Sequence, residues 1–113
     1  GTVVQRQSPQ VWRQVLPTAE AQVLRVAMTG AVESAWGKPF AGSAAIPGVP
    51  TAGKTGTAQL GGSGEPHAWF IGFAPASAPR IAVAVIIEQG GHGGAVAAPI
   101  GGQLMADWLR LAP

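Results

Sequence analysis

The sequence contains no cysteine, which removes disulfide frameworks, thiolate metal sites and cysteine nucleophiles together. Asparagine and tyrosine are absent as well. The polar groups left for chemistry are the serines and threonines, two lysines, two histidines and five carboxylates. Charge is scarce: seven Lys and Arg against five Asp and Glu give a formal net charge of +2 over 113 residues. The basic residues lie singly from Arg6 to Arg110, which argues against a nucleic-acid partner. Long apolar runs are missing too. The longest, Ile81 to Ile87, is far short of the roughly 20 residues that cross a bilayer, and no basic-then-apolar leader opens the chain. A mature soluble piece without membrane contact is expected.

Apolar residues are abundant at 47% with 11% charged, too much burial potential and too little self-repulsion for a disordered chain. The length allows one domain or part of a larger one. Thr2 to Arg6 and Val11 to Leu16 read as two short extended runs around Ser8-Pro9-Gln10, a marginal hairpin. From Thr18 onward Ala19, Val23, Ala27, Ala31 and Ala35 recur every fourth residue beside Leu24, Met28 and Val32, which predicts a helix over Ala19 to Ala35. Thr18 would be its N-cap and Gly37 its stop. Lys38 to Pro50, broken by three prolines and two glycines, reads as a surface connection.

Three strands are predicted next, Gly53 to Gln59, His67 to Ala74 and Ile81 to Glu88, with connections short enough for an antiparallel meander. The third carries no polar residue on either face up to Ile87, so cover on both sides and a place inside a sheet are expected. A last helix runs from Pro99 to Leu111, with Ile100, Leu104, Trp108 and Leu111 on one face. Each helix has one apolar stripe, and both are expected on one face of the sheet.

Gly48-x-x-x-x-Gly53-Lys54-Thr55 satisfies the phosphate-loop pattern. The mechanism behind that pattern needs a strand before the loop and a helix starting at the Lys. Ala41 to Pro47 is a poor strand, and Gly56, Gly61, Gly62, Gly64 and Pro66 oppose a helix after Thr55. Read as a strand, Lys54-Thr55-Gly56-Thr57 puts two hydroxyls on one face, while Gly56 leaves the other bare for close approach of another element. Paired hydroxyls beside a cation suit a substrate carboxylate.

These residues resemble the penicillin-binding proteins, whose transpeptidase domain carries a Lys-Thr-Gly-Thr strand along its active site. The likeness extends through Ala52 to Gln59, His67 to Pro75, Ile81 to Glu88 and Ala97-Ala98-Pro99-Ile100, the last part of class B members. It implies an α/β fold with a five-stranded antiparallel sheet flanked by helices, of which residues 1–113 would supply three strands. It implies a serine-type D,D-transpeptidase that cross-links peptidoglycan stem peptides through an acyl-serine and binds β-lactams, needs no cofactor or metal, and works on the extracytoplasmic face of a bacterial membrane. Lys54 would hold the carboxylate and bridge to the serine of a second motif. Thr55 and Thr57 would hydrogen-bond the carboxylate, Gly56 would lie along the substrate, and the Thr57 N–H would form half of the oxyanion hole, the catalytic contribution of this stretch.

The same resemblance requires a nucleophile in Ser-x-x-Lys, and none of Ser8, Ser34, Ser43, Ser63 or Ser77 has Lys three residues on. Its Ser-x-Asn motif is excluded by the absence of Asn. The chain is therefore expected to be the C-terminal portion of a transpeptidase domain, inactive by itself, whose partner is the nucleophile-bearing N-terminal part or a second copy met at an open sheet edge. Two other classes remain open, a nucleotide-binding module and a non-catalytic module that completes a partner's sheet. His67 and His92 read as surface histidines, Trp69 and Phe70 as packing residues on opposite strand faces, and Trp36 and Trp108 as core or rim. Glu65 and Glu88 are weak candidates for a base, one on a loop and one at a strand end.

Overall fold

The computed structural model describes all residues except 1, 3, 6, 7, 9, 60 and 113. Three strands, β1 (Ala52–Ala58), β2 (His67–Ala74) and β3 (Ile81–Ile87), form an antiparallel sheet in the order β1-β2-β3, the meander expected from the short connections. Two long helices, α1 (Thr18–Glu33) and α3 (Ala97–Leu111), flank it, so the α/β class holds.

Register fixes which side chains share a face. Thr55 pairs with Phe70, and Phe70 with Val85, while one residue on, Gly56 pairs with Trp69 and Trp69 with Ile86. Directly opposed residues point the same way. Thr55, Phe70 and Val85 therefore look toward one face and Trp69 and Ile86 toward the other. The core lies on the first, where Phe70 and Met105 are fully buried together with Ala44, Ala68, Ala74, Ala97 and Ala98.

The small side of α3 packs on that core. Its buried residues are Ala97, Ala98, Gly101, Gly102 and Met105, whereas Ile100, Leu104, Trp108 and Leu111 are 37% to 84% exposed. The predicted apolar stripe thus faces outward. The reason is steric: a Cβ on Gly101 would run into the Phe70 ring, and one on Gly102 would lie 2.8 Å from Ala44, so only a bare helix face fits against sheet and loop. The helix begins at Ala97, before Pro99, which is tolerated within the first turn.

The two helices meet different strands, α1 packing on β1 and α3 on β2 and β3. Only Val32 of α1 is buried, and Val23, Leu24 and Val26 are at least half exposed. Pro17 takes the N-cap place expected for Thr18, its carbonyl accepting from Ala21 N–H at 3.1 Å. At the other end Ser34 stops the helix, its Oγ donating to Gly30 O at 2.5 Å in competition with the backbone. Gly37 then folds back against the carbonyls of Gly30 and Ala31, where no side chain fits.

Lys38 to Pro50 is more than a surface connection. It forms a one-turn helix α2 (Lys38–Ala41) and a 3-10 turn (Gly42–Ala44), with Ala41 and Ala44 buried. In the N-terminal run no strand forms among the described residues of Val11 to Leu16; Trp12 is 98% exposed, and part of Thr2 to Arg6 lies outside the described residues. Cover on both faces of β3 is not observed, while its open outer edge is the one expected of a meander that supplies a neighbour on one side only. Among the described residues β3 is an edge strand with Val85 buried and Ala82, Ala84 and Ile86 exposed. Trp36, expected in core or rim, is 89% exposed.

Candidate substrate-binding strand

The stretch from Gly48 to Thr55 shows why the phosphate-loop pattern misleads. Gly48 has φ +76 in a turn closed by Val49 N–H donating to Ile46 O at 3.0 Å, with Pro47 before it, the demands of a type II turn. Thr51 follows, fully buried; its Oγ1 donates to Val49 O at 2.9 Å and accepts from Ile46 N–H at 3.3 Å, and its own N–H donates to Glu33 Oε1 at 2.9 Å. Gly53 sits beneath the Phe70 ring, where a Cβ would stand 2.5 Å from Cζ. Lys54 and Thr55 lie inside β1, so no helix N-terminus faces a phosphate site. The two glycines answer to a turn and to an aromatic ring.

Within β1, Thr55 and Thr57 point to the same face, half-buried and exposed respectively. They line a cleft of about 340 Å³ with Pro39 and Phe40 of α2 and with His92, Gly94 and Ala95 of the loop between β3 and α3. Strand alternation turns Lys54 to the opposite face, and its Nζ reaches back to Thr55 O at 2.5 Å. The structure therefore brings Thr55, Thr57 and His92 together and leaves Lys54 out of the cleft lining. Gly56 was expected to admit another element on its bare face; that space is taken by Trp69, whose Cβ would be 3.2 Å from a Cβ at 56. The close approach occurs on the threonine face instead, through Gly93, which is buried against the backbones of Gly56 and Trp69.

Gly93 and His92 are the contributors that sequence reading missed as site residues, because a Gly-rich loop carries no periodic signal. His67 serves elsewhere, its Nδ1 accepting from Gln89 N–H at 2.9 Å. Glu65 and Glu88 are exposed and neither lines the cleft. Phe70 and Trp69 do fall on opposite faces, Phe70 in the core and Trp69 at 39% exposure. Among the described residues the cleft holds no serine and no carboxylate, and no group of three His, Cys, Asp or Glu could hold a metal. What remains in the cleft is the pair of threonine hydroxyls beside His92.

Residues 2–106 match the family described as the penicillin binding protein transpeptidase domain. The chain is 47% identical over 109 residues to peptidoglycan D,D-transpeptidase PbpA of Mycobacterium tuberculosis, covering 89% of this chain and 21% of that protein. It is 36% identical over 115 residues to stage V sporulation protein D of Bacillus subtilis, covering 94% and 17%. It thus spans about a fifth of the length of these relatives. Among solved structures, the imipenem acyl-enzyme complex of penicillin-binding protein A from M. tuberculosis superposes with a TM-score of 0.73 at 43% identity, over 87% of this chain and 22% of that one. A family match over nearly the whole chain, relatives at 36% to 47% identity and a shared α/β fold agree: this chain belongs to the penicillin-binding protein transpeptidase domain family.

Proposed function

We propose that residues 1–113 supply the substrate-binding strand of a serine D,D-transpeptidase that cross-links peptidoglycan stem peptides through an acyl-serine and is acylated by β-lactams. The observation that carries this reading is the pair of hydroxyls, Thr55 and Thr57, set side by side over one cleft on a strand whose outer edge has no partner among the described residues. In this reading an extended peptide lies along β1 with its carboxylate on Thr55 and Thr57, and the Lys54 ammonium leaves Thr55 O and swings around the strand edge to join them. The Thr57 N–H, fixed on a rigid strand, donates to the oxyanion that forms as the serine Oγ attacks the carbonyl. The nucleophile and its base come from a part of the domain outside residues 1–113, which makes this piece one wall of the site. No cofactor enters. The cross-linking would take place on the extracytoplasmic face of a bacterial membrane.

Two facts support this reading over the alternatives: the family to which the chain belongs, and the strand at Lys54 where a nucleotide site needs a helix. The test is labelling of the full-length parent with a fluorescent penicillin. A labelled band that disappears after pretreatment with unlabelled penicillin is expected; a parent that never labels overturns the reading.

A further inference from the structure

The loop that closes the cleft is held from both sides. On one side Gly93 lies on the β1–β2 ladder: a Cβ there would be 3.1 Å from Gly56 N and in collision with the carbonyl oxygens of Gly56 and Trp69, which are register partners. On the other side a Cβ on Gly94 would collide with Phe40 O, and Ser43 Oγ donates to Gly94 O at 2.7 Å. The far end is tied to α3, where Ala98 N–H donates to Gly93 O at 2.8 Å and Val96 N–H to His92 O at 3.1 Å. Gly56 is the peptide between the two threonines of the cleft. Whatever sets the height of Gly93 above it also sets the Gly56–Thr57 peptide.

We propose that Ser43 and Gly93 are positioning residues for the Thr55–Thr57 segment, Ser43 latching the loop that Gly93 seats on Gly56. The inference rests on the reading of β1 as the substrate strand. Ser43 makes no contact with substrate in this arrangement; it acts through Gly94 and Gly93. Its hydroxyl is the only side-chain group among the described residues seen to bond the backbone of residues 92–95. Chemistry at a carbonyl tolerates displacement of a donor by only a fraction of an ångström, so a loosened latch should act on the bond-forming step more than on binding.

The test uses the full-length parent and stopped-flow acylation by penicillin, separating the non-covalent dissociation constant from the acylation rate constant. Ser43→Ala should lower the acylation rate constant about tenfold and change the dissociation constant less than about threefold, and Ser43→Thr, which keeps the hydroxyl, should restore the rate. Gly93→Ala should lower it about a hundredfold. If Gly93→Ala does not fold, the Ser43 pair decides alone. Loss of stability would reduce the fraction of active sites without altering the rate constant per site. Acylation of the wild type with an unchanged rate constant in Ser43→Ala overturns the latch and spares the substrate-strand reading. A wild type that is never acylated overturns both.

Discussion

Gly101 of α3 rests on the ring of Phe70 in β2, closer than any side-chain carbon at 101 would permit. Gly53 and Gly72 touch the same ring from the sheet, where a Cβ would stand 2.5 Å and 2.7 Å from its nearest atom. One fully buried aromatic is thus held among three glycines from three elements. Gly101→Ala should destabilise the domain by about 1–3 kcal/mol through overpacking. Combining it with Phe70→Leu should cost less than the sum of the two single changes, because the smaller side chain relieves the clash. Urea denaturation of the parent domain measures both, and strict additivity would show that the ring is not the obstacle.

Thr51 offers a second measurement. Its buried hydroxyl serves Val49 O and Ile46 N–H at once. Thr51→Val keeps the shape and removes both bonds of the hydroxyl, leaving Ile46 and Val49 only their bridge to each other, for an expected loss of about 1–2 kcal/mol. Thr51→Ser should recover most of it, read as the shift in the denaturation midpoint.

At the end of α3, a hydrogen bond from Gln103 is the main cause that holds the Asp107 carboxyl below the ordinary aspartate range; desolvation opposes it, and the hydrogen bond and charge of Arg110, each a lesser effect, add to the lowering. A carboxyl whose folded value is depressed favours the fold above its unfolded value and loses that contribution as pH falls through the folded one. Asp107→Asn should therefore flatten the acid limb of the stability curve below the unfolded aspartate value. Carbon-detected NMR titration of Asp107 should give a value that rises in Gln103→Ala; an unmoved value would assign the effect to Arg110 alone.

For the substrate strand, Lys54→Ala in the parent should slow penicillin acylation by about 10–100-fold and Thr55→Ala by several-fold, since a charge-assisted bond is worth about 1.5–3 kcal/mol against about 1 for a neutral one. Equal rates in wild type and Lys54→Ala would remove the lysine from carboxylate binding. Thr57→Ala should be milder at the oxyanion, because its N–H survives. Residues 1–113 alone should form no covalent penicillin adduct, which intact mass spectrometry checks.

The free edge of β3 has a physical consequence for the isolated piece. Its exposed Ala82, Ala84 and Ile86 adjoin backbone groups with no strand partner among the described residues, a template for strand pairing. Size-exclusion chromatography with light scattering should find residues 1–113 associated with themselves or with the remainder of the domain. A dilute stable monomer would mean that the edge is covered.

Much of this was legible from alternation and spacing. The runs at His67 and Ile81 name their strands because β-branched and aromatic residues are bounded there by Gly and Pro, and Thr55 and Thr57 share a face by the period of two. The period of 3.6 found both helices and put α3 the wrong way round. Ile100, Leu104 and Trp108 mark a stripe, and nothing local tells that the Phe70 ring, thirty residues earlier, demands the glycine side. The cleft was half visible for the same reason, since the place of Gly93 on Gly56 depends on two elements far apart in sequence.

The bare inner side of α3 acts as a spacer of fixed thickness. Gly101 and Gly102 set how low the helix axis rides over the sheet, and Ala98 ties its first turn to Gly93. A rotation of about 100° around the axis, one residue's worth, would put a bulky side chain under the helix and raise it. The loop would rise with it. The clearance above Gly56 is thus gauged by two missing side chains at the opposite end of the loop.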